Sequence, residues 1–126
     1  MPKSIVSTDK APTVGPYSQA VKANGFIFVS GQIPMDASTG RIVSDEVKEQ
    51  AKRVLDNLKL VLEAAGSSLE NIVKTTIYLI DMNDFAVVNE IYGSYFKVDP
   101  PARATVEVCR LPKDVKIEIE AVALEK

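Results

Sequence analysis

The segment 45–65 constrains this chain most. Apolar residues at Val47, Ala51, Val54, Leu55, Leu58, Val61, Leu62 and Ala65 form a single stripe at the helical period. A helix with one such stripe must lie on one partner surface, so the rest of the chain has to provide that surface. Ser44 is placed to cap the N-terminus, and Asp45 and Glu46 complement the helix dipole. Gly66 is the natural residue just past the C-terminal end. Ser67 with Glu70 has the spacing of a capping box for a short following turn.

The partner surface reads as a sheet. Residues 19–23 and 26–30 flank Asn24-Gly25, a pair that accepts positive φ at both turn positions and so predicts a two-residue hairpin. Residues 31–40, with two glycines and a proline, read as a loop with a second turn at Ser38-Thr39-Gly40. Residues 73–80 are β-branched and apolar on both faces, which predicts a central strand. A second helix is expected over 83–96, with Phe85, Val88, Ile91, Tyr92, Tyr95 and Phe96 on its inner face; Asp99-Pro100-Pro101 cannot continue it. Strands over 102–109 and 115–124 follow, joined through Leu111-Pro112-Lys113-Asp114. The expected order is β-β-α-β-α-β-β, an α+β fold with a mixed sheet and both helices on one face, as a single domain over 1–126.

What the chain lacks narrows its chemistry. It has no histidine and one cysteine, Cys109. Histidine general bases, Ser-His-Asp and Cys-His catalysis, histidine-held zinc and an intramolecular disulfide are all excluded. With 15 basic against 17 acidic residues, it lacks the basic excess by which most nucleic-acid binders neutralise phosphate. No apolar run approaches the length of a membrane span, and the first residues show no secretory pattern. A cytosolic protein without a membrane partner is the expectation. Its chemistry would come from carboxylates, Arg, Lys, Tyr, Ser, Thr, Cys109 or the backbone.

The last two strands alternate. Ala102, Ala104, Val106 and Val108 point one way, and Arg103, Thr105, Glu107 and Cys109 the other. In the final strand Ile117, Ile119, Ala121 and Ala123 share one face, opposite Glu118, Glu120, Val122 and Leu124. If both small apolar faces lie under the helices, Arg103, Thr105, Glu118 and Glu120 come to one surface. A plain solvated face with scattered ion pairs accounts for the charges. It does not account for Val122 and Leu124 beside them, nor for the apolar 73–80 strand. An apolar sheet face carrying a few charges points to cover by another subunit. There an Arg offers a two-pronged fork for a carboxylate, and a desolvated Glu is suited to proton transfer with water.

Several ordered blocks carry a resemblance to a known family. Gly15-Pro16-Tyr17-Ser18-Gln19-Ala20, Ser30-Gly31-Gln32-Ile33-Pro34 and Asp81-Met82-Asn83-Asp84-Phe85 with Asn89 are three of them. Pro101-Ala102-Arg103-Ala104-Thr105-Val106-Glu107-Val108, Leu111-Pro112 and Ile117-Glu118-Ile119-Glu120-Ala121 complete the set. Over residues 5–124 the chain resembles the Rid family, also called YjgF, of reactive-intermediate imine deaminases.

The resemblance implies a chorismate-mutase-like fold, a homotrimer with its sheets lining the interior, and a ligand site in each subunit cleft. It implies hydrolysis of 2-iminobutanoate and 2-iminopropanoate to 2-oxoacids and ammonia, without cofactor or metal. Carried over, Arg103 would clamp the substrate carboxylate and Glu118 would activate water, with Glu120 as the rival carboxylate. Tyr17, Ser30, Gly31 and Asn89 would line the site, and the backbone near Gly31 and Thr105 would hold water or substrate. Many members have Cys where this chain has Thr105; imine hydrolysis needs no covalent intermediate, so backbone position is expected to matter more there. Cys109 is not that residue and reads as a small residue packed in an interface. Each residue also has a structural role open to it: an interface salt bridge for Arg103, an ion pair for Glu118, a turn pinned by Tyr17, a helix brace for Asn89. Two other functions remain open, a metabolite-binding or chaperone-like module without turnover, and a translation inhibitor with ribonuclease activity.

Overall fold

A computed structural model describes residues 2–126. Its elements are β1 (Ser4–Val6), β2 (Ala20–Ala23), β3 (Phe26–Gln32), β4 (Met35–Asp36), β5 (Arg41–Ile42), α1 (Val47–Ala64), β6 (Ile72–Leu79), α2 (Phe85–Tyr95), β7 (Ala102–Glu107) and β8 (Ile117–Leu124). Six strands form one sheet in the order β1-β2-β3-β8-β6-β7, and β4-β5 is a separate two-stranded ribbon. Every pairing is antiparallel except β6 with β7. That parallel pair needs a crossover, and α2 supplies it.

The expected mixed sheet with two helices is present, with β1, β4 and β5 added. The hairpin turn is as predicted: Ala23 pairs with Phe26, and Asn24 and Gly25 both have positive φ, 57° and 86°. The 31–40 segment is more ordered than its composition implies. Gly31 and Gln32 continue β3, and Met35-Asp36 pairs with Arg41-Ile42 around the predicted turn. Backbone pairing overrides the local Gly/Pro signal because Asn57, buried in α1, donates to the carbonyls of Ile33 and Met35 at 3.1 Å each.

The stripe of α1 is the core. Val54, Leu55, Leu58, Val61 and Leu62 are fully buried against Ile27, Ile77, Ile117 and Ile119 of the sheet. Each such side chain contributes about 1.5–3 kcal/mol on burial. The C-terminal end closes as expected: Gly66 has φ 79° and donates to Glu63, and Ser67 donates to Leu62, the paired bonds of a Schellman motif. Two cap expectations are corrected. Glu46, not Ser44, is the N-cap, and Ser44 instead accepts the Glu46 N–H at 3.0 Å. Ser67 makes no capping box; its hydroxyl donates to the Leu124 carbonyl at 2.9 Å and ties the helix exit to β8. The second helix proper begins at Phe85, after a 3-10 turn over Met82–Asp84 whose first N–H is accepted by Glu107 at 2.7 Å. Strand β7 ends at Glu107, so exposed Cys109 lies beyond it rather than on it.

Candidate active site

The register decides which side chains meet, and it corrects the expected common surface. Thr75 pairs with Arg103 and Ile77 with Thr105 in the parallel ladder, while Thr75 pairs with Ala121 and Ile77 with Ile119 across β8. Arg103 and Thr105 therefore lie on the helix-covered side with Ile77 and Ile119. Tyr78 pairs with both Val106 and Glu118, and Thr76 with Ala104 and Glu120. Glu118 and Glu120 are thus on the uncovered side, with Ala104 and Val106. The alternation within each strand is as read from the sequence; the phase between strands is opposite. An edge strand needs no full cover under a helix, so β7 turns its small residues outward and tucks the Arg103 stem inward against α2.

The uncovered face is strongly apolar. Ile5, Phe26, Phe28, Val106 and Leu124 are each about half exposed on it or at its margin. Phe26 and Phe28 pack ring to ring at 6.3 Å, and their register partners are Leu124 and Val122.

One cluster of expected residues gathers at the edge of this face. A cavity of about 440 Å³ is lined by Tyr17, Ser30, Gly31, Ile33, Glu118 and Glu120, among others. Strand β3 carries a one-residue bulge between Val29 and Gln32, which places Ser30 and Gly31 opposite this stretch of β8. The Ser30 hydroxyl donates to the Ser18 carbonyl at 2.6 Å, and Gln19 carbonyl accepts from Ser30 N–H at 2.9 Å, so the Tyr17-Ser18-Gln19 segment is tied to the bulge. Tyr17 folds on its own turn: its N–H donates to Gly15, and its hydroxyl accepts from Val14 at 3.3 Å. Tyr17 nonetheless lines the cavity. Gly31 is required by Glu118, because a Cβ there would overlap Glu118 Oε2 and lie 2.9 Å from its Cδ. Glu118 is half-buried, and burial raises its carboxyl above the usual range, with the Glu120 charge adding to the effect. Burial, then Glu120, also raises the Tyr78 phenol.

A second cluster lies on the other side of the sheet. Asn89, Tyr92, Pro101 and Arg103 line a cavity of about 380 Å³. The Arg103 guanidinium sits 5.0 Å from the Tyr92 ring centroid and 5.6 Å from that of Phe85. Among the described residues no carboxylate pairs with it. Asn89 Oδ1 and Thr105 Oγ1 are buried without a hydrogen-bond partner among the described residues, a costly state that a ligand or water would relieve. From the sequence Tyr92 reads only as part of the inner face of the second helix, Phe85 as that face and part of one resemblance block, and Thr75 only as part of the central strand; the signal for Tyr92 is its hydroxyl, which needs a partner when buried.

A third cleft, about 660 Å³, lies between residues 69–71 and 94–99. None of the buried unpartnered polar atoms lines it, and it holds neither Arg103 nor Glu118. Among the described residues no group of acidic or cysteine side chains is arranged to hold a metal ion, and no helix is long and apolar enough to cross a membrane.

Comparison with known proteins places this geometry. The model of one family, endoribonuclease L-PSP, matches residues 8–125. A RutC family protein of Pyrococcus abyssi is 57% identical over 127 residues, covering 100% of both chains. The human 2-iminobutanoate/2-iminopropanoate deaminase is 53% identical over 124 residues, 98% of this chain and 90% of that one. Among solved structures, Yersinia pestis YyfA, described as a Rid family protein, superposes with a TM-score of 0.95 at 46% identity, covering 98% and 99%. Escherichia coli TdcF, solved with bound serine, gives 0.93 at 44% identity, again covering 98% and 99%.

Proposed function

The chain belongs to the Rid/YjgF family, the family of the endoribonuclease L-PSP match, and from that premise we propose that it hydrolyses 2-iminobutanoate and 2-iminopropanoate to 2-oxoacids and ammonia. The observation that carries the reading is the pairing of two incomplete half-sites on opposite sides of the sheet. One holds an Arg with no ionic partner among the described residues; the other holds a half-buried Glu seated on Gly31. One chain cannot bring them together, so the working site joins Arg103 of one copy to Glu118 of a neighbour. The apolar uncovered face supports such assembly, and a closed homotrimer makes three equivalent junctions.

The chemistry follows from the two groups. The substrate is a carboxylate next to a C=N carbon. The Arg103 fork takes the carboxylate through two parallel hydrogen bonds. Fixing the carboxylate places the imine carbon, and water attacks it to give a carbinolamine. Glu118 accepts the water proton and passes it to nitrogen as the carbinolamine forms; it then takes the carbinolamine hydroxyl proton and delivers it to the nitrogen as the C–N bond breaks, leaving a 2-oxoacid and ammonia. A carboxyl raised by burial is a stronger base than an exposed one, which suits it to this transfer. The imine carbon is already electrophilic, so positioning of water supplies much of the rate. Asn89, Thr105, Tyr17, Ser30 and the bulge backbone would orient substrate and water, and no step needs a cofactor. Thr105, where many members have Cys, serves as well in a path without a covalent intermediate. Serine bound to TdcF is also a small carboxylate carrying nitrogen at C2, which supports a ligand of this class.

The test generates imine with an amino-acid oxidase, traps it with semicarbazide, and adds the protein as competitor. The wild type suppresses trapping and Arg103→Ala does not. Failure of the wild type to suppress trapping of either imine would remove the hydrolase reading and leave a binding module.

A further inference from the structure

Arg103 is held in an unusual way for a residue whose proposed task is to grip a carboxylate. Its guanidinium lies close to two ring faces of α2, Phe85 and Tyr92. These rings are seven residues apart, so they stand about two turns apart along one face of the helix. Phe85 is 37% exposed, whereas Tyr92 is 5% exposed. The Tyr92 hydroxyl is fixed further: it shares a buried 2.7 Å hydrogen bond with the hydroxyl of Thr75, which is fully buried. Thr75 is in turn the register partner of Arg103 on the adjacent strand.

The three residues close a triangle. Arg103 and Thr75 are set side by side by the ladder, Thr75 holds the Tyr92 hydroxyl, and the Tyr92 ring faces the guanidinium. Holding an arginine by ring faces has a consequence that an ion pair would not. The charge stays unneutralised, and the N–H donors at the edge of the guanidinium plane stay free. An Arg–Glu pair would occupy the same donors and compete with the ligand.

We propose that Tyr92, locked by Thr75, is the positioning residue that holds the Arg103 fork ready for a carboxylate. It touches no reacting atom and acts only through Arg103. This rests on the reading of Arg103 as the carboxylate clamp. Because the clamp binds ground state and transition state alike, loss of positioning shows first in weaker binding and a raised KM, and kcat falls only as far as the imine carbon is displaced.

The experiment measures binding of 2-oxobutanoate by calorimetry, and KM and kcat for 2-iminobutanoate, in wild type, Tyr92→Phe, Tyr92→Leu, Thr75→Val and Arg103→Ala. Tyr92→Leu weakens binding and raises KM about 5- to 30-fold. Tyr92→Phe and Thr75→Val each give a smaller rise, about 2- to 5-fold, and the double variant gives no more than either alone, because both break the same bond. In an Arg103→Ala background, Tyr92→Leu has no further effect on binding. A second readout needs no ligand: ring current from Tyr92 shifts the Arg103 Nε–H proton resonance upfield, and Tyr92→Leu returns it toward the free-arginine value. If the Tyr92 variants lower only Tm, with binding, KM and the Arg103 resonance unchanged, the positioning role is refuted. If Arg103→Ala itself leaves 2-oxobutanoate binding intact, the clamp reading falls and this proposal with it. The two failures are told apart by that single variant.

Discussion

Gly31→Ala isolates the contact on which the Glu118 half-site depends. The backbone at Gly31 lies outside the left-handed region, so an L-residue meets no backbone strain there. The added methyl meets Glu118 instead. It would overlap Oε2 and lie 2.9 Å from Cδ and 3.2 Å from Cγ, and only withdrawal of the carboxylate relieves all three. Restoring ordinary contact distances moves the carboxylate by roughly 1 Å, and a displacement of that size at a reacting group costs about 100-fold in rate. The folding cost is small, within about 1 kcal/mol, because the far end of a long side chain can turn toward solvent. Steady-state hydrolysis of 2-iminobutanoate should therefore show kcat down about 100-fold with Tm nearly unchanged. A Gly31→Ala protein with kcat within threefold of wild type would refute the claim that Glu118 must sit against Gly31 to act, as roughly a hundredfold loss is required.

Four further outcomes are expected. Glu118→Gln abolishes activity yet raises Tm at neutral pH. The raised carboxyl holds its proton more tightly in the folded state, so its contribution to stability falls as pH rises from the ordinary carboxylate range through the raised value; Gln removes that loss, and a flat Tm difference between pH 4 and 8 would contradict it. Glu120→Gln removes the like charge that assists burial, so the acidic limb of the kcat/KM profile moves to lower pH; an unmoved limb assigns it to another group. Phe28→Lys places a charge on the apolar uncovered face, so light scattering after size exclusion should show monomer in place of the proposed trimer, with activity lost. Leu55→Ala, at a fully buried site, costs about 2–5 kcal/mol by urea unfolding if the native assembly is held constant.

The elements legible in the sequence are those whose signals are local. Asn24-Gly25 specified its turn because few residue pairs accept two positive φ values, and the 45–65 stripe specified its helix because the period is its own. The separation of Arg103 from Glu118 was not legible. Alternation orders side chains within a strand, but the phase between strands comes from pairing, here Thr75 with Arg103 in one ladder and Thr75 with Ala121 in another. Both 102–108 and 117–123 offer a face of small apolar residues, and only the register distinguishes the one under the helices from the one turned out. The residue contacts had the same limit. Ser44 and Ser67 have cap spacing, yet Ser67 bonds to Leu124, 57 positions away, and Tyr92 reads as core until Thr75 and Arg103 are seen beside it.

The central claim is that a working site takes Arg103 from one copy and Glu118 from another. Two inactive proteins, Arg103→Ala and Glu118→Gln, are unfolded together in equal amounts and reassembled. A site shared between copies is whole wherever a Glu118→Gln subunit supplies Arg103 and an Arg103→Ala subunit supplies Glu118. Random mixing then restores about a quarter of wild-type activity. If mixed assemblies form and activity stays at the level of the parent variants, each site is made by one chain, and the account is wrong.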